Sequence, residues 1–232
     1  MSVTIDKMFQ MGLHLGHQSK QVNPKMAPFI CGKKKGEHVI DLIQTYFFLK
    51  KASRFLAKAA SQKKTFLFVS RKKQLTELIA TIAPKCGSFY VNQRWLGGLL
   101  TNWETVKKSL DKLNNFERQE KSGLLTSFSK KELASWKRQK DRLNRELGGL
   151  RGMARLPDVV IVIGQPESIN AVRECRKLGI PNLTILDTNC DPTLADIFIP
   201  ANDDSVTSLR FLLTTLLKAI QRGQSRFQKT LT

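Results

Sequence analysis

The sequence is short of the features that would mark an exported, membrane-spanning or nucleotide-hydrolysing protein. Its four cysteines, Cys31, Cys86, Cys175 and Cys190, lie far apart and form no C-x-x-C pair. That excludes a disulfide framework and reads as reduced core thiols in a reducing compartment. No apolar run approaches the roughly twenty residues needed to cross a bilayer. The start, Met1-Ser2-Val3-Thr4-Ile5-Asp6-Lys7, has neither a secretory apolar stretch nor an Arg-rich transit character, so the protein is expected to work where it is made. No G-x-x-x-x-G-K-[ST] loop occurs, and Gly97-Gly98 lacks the spacing of G-x-G-x-x-G. His14, His17, His38 and Cys31 fall within 25 residues but fit no common zinc spacing, and they read as ordinary side chains.

Acidic residues are also few. Thirty-nine Lys and Arg face 19 Asp and Glu, a net charge of +20 over 232 residues. A surplus of this size repels itself in the folded state and calls for an anionic partner: nucleic acid, an anionic membrane surface or an acidic protein. Residues 1–100 hold 17 cations against 4 acids, residues 101–155 hold 14 against 7, and residues 156–232 hold 8 against 8. The positive field belongs to the front two-thirds, which suggests a directed binding surface.

The apolar pattern predicts an α/β protein. A short amphipathic helix carrying Ile5, Met8 and Phe9 precedes a loop from Gly12 to Gly36, rich in Gly, His, Asn, Pro and Lys. Asp41 is placed to cap a helix through residue 60, with Phe48, Ala52, Phe55, Leu56 and Ala59 on one face. Strands are expected at 65–69, 89–91, 158–163, 183–186 and 197–199. A helix ending at Gly179 follows the third of these, and a last helix carries Leu209, Leu213, Leu216 and Ile220. This alternation argues for a doubly wound parallel sheet. Residues 101–148 differ in character. Thr101-x-x-Glu104 and Ser129-x-x-Glu132 are capping-box patterns, each followed by a narrow apolar seam, and Lys121-Ser122-Gly123 breaks between them. The expected organisation is an α/β core of 1–100 and 149–232, with its basic N-terminal loop, and an inserted helical hairpin over 101–148.

Candidate site residues follow from chemistry. Gln18, Lys20, Asn23, Lys25 and the run Lys33-Lys34-Lys35 put cations and amides on a loop that packing does not claim. Cations neutralise phosphates, while amides hydrogen-bond sugar or base edges. The basic step Arg71-Lys72-Lys73 follows a strand. In Asn92-Gln93-Arg94-Trp95-Leu96-Gly97-Gly98, with Asn102 beyond, Trp95 can stack on a base or plug the sheet edge, and both readings fit. Asp187, Asp191, Asp203 and Asp204 follow strands and meet at the carboxyl edge of such a sheet. They are candidates for Mg²⁺, although turn and helix-cap chemistry is preferred because no nucleophile motif accompanies them. A Mg²⁺-dependent phosphoryl-transfer enzyme on this fold is the rival reading. A peripheral membrane protein is the third, and it lacks an exposed amphipathic anchor.

Several ordered stretches carry a resemblance. Gly12-Leu13-His14-Leu15-Gly16-His17-Gln18, Asn23-Pro24-Lys25-Met26, Asn92 to Gly98, Leu178-Gly179-Ile180-Pro181, Asp187-Thr188-Asn189-Cys190-Asp191-Pro192 and Ile199-Pro200-Ala201-Asn202-Asp203-Asp204 closely resemble the bacterial and organellar small-subunit ribosomal protein S-two family. Leu194-Ala195-Asp196-Ile197 looks most like its plastid branch. The chain departs at Val22, where the family commonly has Trp, and at Gly164, where Asp is common. The resemblance implies a flavodoxin-like core with an inserted helical hairpin, and contact with small-subunit rRNA and neighbouring ribosomal proteins. It further implies a plastid location, with a bacterial cytoplasm as the alternative. No catalysis, cofactor, small-molecule substrate, membrane contact or homo-oligomer is expected.

Overall fold

The computed structural model describes residues 3–34, 36–122, 125 and 128–231, the last four by backbone alone. Helix α1 (Ile5–Gln10) is capped by Thr4, and only its Met8 is buried. Ile5 and Phe9 remain 42% and 59% exposed, so the expected apolar face is narrower than the sequence suggests. Phe9 instead stacks on His14, with ring centroids 4.2 Å apart. The expected basic loop is a small antiparallel sheet of β1 (Leu15–Gln18), β2 (Ile30–Lys34) and β3 (Glu37–Ile40), in the order β1-β3-β2. Most of its side chains are solvated on both faces, so no period-two apolar signal betrays it. Asp41 then caps α2 (Leu42–Ser61), accepting from the Ile43 amide at 2.8 Å, as its position predicts.

Beyond α2 come β4 (Phe66–Ser70), α3 (Thr76–Ile82), β5 (Phe89–Val91), α4 (Trp103–Lys121), α5 (Lys130–Leu147), β6 (Val159–Ile163), α6 (Ile169–Leu178), β7 (Asn182–Leu186), β8 (Ile197–Pro200) and α7 (Val206–Leu231). The five later strands form one parallel sheet in the order β5-β4-β6-β7-β8. Counted within that sheet alone, the order is 2-1-3-4-5, the flavodoxin-like arrangement. Strands β4, β6 and β7 are buried throughout, because helices cover both faces. One face packs on α2, α3 and α7 through Leu49, Leu56, Ile79, Leu212 and Leu216. Helices α2 and α7 cross closely at Gly223, where a Cβ would collide with the Ala57 carbonyl oxygen. The other face holds Trp95, Leu99, Leu100, Leu147, Val172 and Cys175, from the β5–α4 segment, the base of α5, and α6.

Helices α4 and α5 lie in the β5–β6 connection. Val106, Leu110, Leu113 and Phe116 are buried along α4, and Phe116 meets Trp136 of α5 edge-to-face at 5.5 Å. The Ser129–Glu132 capping box forms as expected. The Thr101–Glu104 box does not: Asn102 is the N-cap of α4, and the Thr101 hydroxyl points to Glu174 instead. The expected break at Gly123 lies outside the described residues.

Candidate nucleic-acid interface

The segment between β5 and α4 is shaped by a carboxylate that the sequence did not single out. Glu174, on α6, accepts from Trp95 Nε1, the Gly98 amide and the Leu100 amide, each at 2.9 Å. The Thr101 amide adds a fourth bond at 3.2 Å. Burial alone would raise this carboxyl, but the bonds from Trp95, Leu100, Gly98 and Thr101 outweigh it and hold the group below its ordinary value. Trp95 is 6% exposed and packs in the second core, so its ring offers no open face to a base. Of the two readings of this tryptophan, the geometry realises the plug. Arg94, its neighbour, is exposed. No local spacing links positions 95 and 174, so the sequence alone gave no sign of the pair.

A second carboxylate group forms where the small front sheet docks on the ends of β7 and β8. The His17 amide donates to Thr188 Oγ1 at 2.8 Å, and the Asn23 amide donates to the Thr188 carbonyl at 2.9 Å. Asn202 Nδ2 donates to the Gly12 carbonyl at 3.1 Å. Gly16 permits this approach, since a Cβ there would stand 2.6 Å from Thr188 Cγ2. Docking carries His17 between Asp187, with Nδ1 3.0 Å from Oδ1, and Asp204, with Nε2 3.2 Å from Oδ2. The Asp187 carboxylate against its ring and the surrounding acids raise His17 above its usual 6.5, more than burial lowers it. Lys72, from the β4–α3 loop, ion-pairs with Asp203 and Asp204. Burial alone would lower Lys72, but Asp203 and Asp204 more than compensate and hold it charged. Burial, then the Asp187 charge, pushes Asp203 up to about 7. Asp203 Oδ2 has no hydrogen-bond partner among the described residues.

Of the four acids considered for a cation, the structure brings three together. Asp191 stands apart, capping Thr193 through its amide at 2.9 Å and pairing with Lys25 at 2.6 Å. His17, read as an ordinary side chain, joins Asp187 and Asp204 in a group whose ligand atoms lie within 4.8 Å of one another. Its place there depends on a fold contact across more than 170 residues, which no sequence spacing signals.

The expected RNA-contacting residues divide in two. Lys25 and Lys72 are already paired with carboxylates, and the Asn23 side chain caps the Lys25 amide at 3.0 Å. Gln18, Lys20, Lys33, Lys34, Arg71, Lys73, Arg94 and Asn102 are exposed. Lys35 lies outside the described residues. Arg71, Lys73 and Arg94 occupy loops that leave the carboxyl ends of β4 and β5. The front sheet, with Gln18, Lys20, Lys33 and Lys34, sits at the same edge beyond β7 and β8.

A family model described as Ribosomal protein S2 matches residues 8–223. The chain belongs to the ribosomal protein S2 family. A small ribosomal subunit protein uS2c of Oltmannsiellopsis viridis is 54% identical over 229 residues, covering 99% of this chain and 96% of that protein. A protein of the same description from Chlorella vulgaris is 54% identical over 224 residues, covering 97% of this chain and 84% of its own length. The small ribosomal subunit protein uS2 of Trichormus variabilis (strain ATCC 29413 / PCC 7937) is 46% identical over 222 residues, covering 96% and 84%. In this chain the flavodoxin-like sheet is the scaffold that carries the basic segments.

Proposed function

We infer that this chain is a structural, non-catalytic constituent of the small ribosomal subunit in plastids, bound to small-subunit rRNA and to neighbouring ribosomal proteins. Family membership over nearly the whole chain supports this, together with relatives named as small-subunit proteins. The observation that carries the RNA assignment is the gathering of exposed cations from the front sheet and from the connections after β4 and β5 along one sheet edge. Lys20, Lys33, Lys34, Lys73 and Arg94 are all there, and none has a carboxylate within 4.0 Å among the described residues. These side chains, with Gln18, Arg71 and Asn102, form the RNA face in this reading. Trp95 is left out of it because its ring is buried. Residues 101–148 act as an arm whose exposed Lys and Arg reach further phosphates. The protein works as a single copy, with no small-molecule substrate.

The phosphoryl-transfer reading of the acidic edge has no support in the family or in the geometry, since Lys72 and His17 already answer the acids. Among the described residues, no helix is long and apolar enough to cross a membrane. The test is co-sedimentation with small subunits across a salt series, followed by crosslink mapping of the touched nucleotides. Replacing Lys33 and Lys34 by Ala is expected to reduce the slope of log affinity against log salt by about 1.5 to 2. An unchanged slope removes both from the RNA face.

A further inference from the structure

Helix α7 borders a surface that the RNA-facing edge does not use. Charges balance across residues 156–232, yet all eight acids there precede Ser205, and residues 206–231 carry five cations and no acid. Arg210, Thr214, Lys218 and Arg222 follow one another at intervals of four and so share a helix face. That face forms one wall of an open groove of about 620 Å³ between α1, α2 and α7. Val3, Met11, Tyr46 and Phe211 form its floor, each partly buried against the main core. Lys7 and Lys50 stand on the opposite side, and among the described residues no carboxylate lines the groove. Arg210, Lys218 and Arg222 are exposed, and no carboxylate among the described residues lies within 4.0 Å of them.

We propose that this groove docks an acidic, apolar-faced segment of a neighbouring protein. Its apolar side chains cover the floor, and its carboxylates meet Arg210, Lys218 and Arg222. An apolar floor inside a cationic rim asks for both features in one occupant. A nucleic-acid backbone supplies only the charge, and pressing phosphates onto carbon would strip their water without returning hydrogen bonds. Base stacking has little to use, because Lys50 Nζ already lies 4.3 Å from the Tyr46 ring centroid and Phe47 meets that ring edge-on. A second copy of this chain, paired two-fold about α7, would set cations against cations.

The experiment uses assembled small subunits in which Thr214 of the full chain is replaced by a photocrosslinking phenylalanine analogue. Irradiation is expected to join it to a peptide of another subunit protein that is rich in Asp and Glu and has apolar residues three or four apart. The triple change Arg210→Glu, Lys218→Glu, Arg222→Glu is expected to cut the yield about tenfold or more, as reversing complementary charge should. Incorporation into particles is measured separately, so a failure of assembly is not read as a failure of docking. If the triple variant does not assemble, Lys218→Glu alone is used, with a loss of about threefold expected. Crosslinks from particle-bound protein to rRNA, to a second copy or to nothing would overturn the proposal. So would a yield that ignores the charge reversal.

Discussion

Glu174 and the buried pair Asp187 and Asp203, with Asp204 on its exposed rim, both draw negative charge out of water, but they differ in what receives it. Glu174 is met by four N–H donors, three of them backbone amides of one loop, and by the Thr101 hydroxyl at 3.4 Å, so a single carboxylate organises the whole β5–α4 connection. The three aspartates share one lysine and one histidine, and one Asp203 oxygen has no partner among the described residues. The consequence is opposite shifts: Glu174 is held below its ordinary value, and Asp203 is pushed up to about 7. A saturated carboxylate fixes structure. An acid group with too few cations stays sensitive to its surroundings.

The largest way to probe that difference is Lys72→Met. It leaves Asp203 buried without its cation, and about 3–5 kcal/mol of stability should be lost in urea unfolding. A loss under about 1 kcal/mol would mean the aspartates are neutralised by protonation already. Glu174→Ala comes next. It strands the Trp95 indole N–H and three amides, and the expected loss is about 2–4 kcal/mol, with a change in tryptophan emission as the loop loosens. If stability drops but the emission does not change, Glu174 anchors α6 and not the loop.

The smallest expected effect is in the pH profile, where the two sites should pull in opposite directions. Glu174 is depressed, so its contribution is complete above its ordinary 4.5 and is lost as pH falls through its folded value. Asp203 is raised from 3.8 to about 7, so its contribution is complete below 3.8 and is lost as pH rises through about 7. His17, raised from 6.5, has the same sign: its contribution is complete below 6.5 and is lost above its folded value. Thermal melts across pH should show stability falling on both sides of a mildly acidic maximum. Glu174→Gln should flatten the acid side, and Asp203→Asn the alkaline side. A profile that neither change alters would erase the contrast.

Local signals were readable where one element carries its own instructions. The unbroken run Val159–Ile163 needed no partner to declare a buried strand, and Gly179 ends α6 in the left-handed conformation expected of it. Asp41 and the Ser129–Glu132 box act within three residues of themselves. The front sheet was not readable, because β1 to β3 gain their order by docking on Thr188 and Asn202 and not by burying an alternating face. Thr101 shows the limit from the other direction: its local pattern favoured a cap, but Glu174 claimed its hydroxyl and Asn102 took the cap position. The even charge of the last 77 residues likewise hid an acid-free α7 behind the acidic loops that precede it.

By itself the sequence determined the parallel α/β core, the helical insertion, the basic front and the family, because apolar period, caps and ordered motifs are properties of neighbouring residues. Tertiary structure alone decided which cations face outward and which answer an aspartate. It also decided that Trp95 is a plug, that His17 joins the acids, and that α7 borders a groove. Each of these depends on distances between residues far apart in the chain, and a charge acquires its role only from what stands within a few ångströms of it.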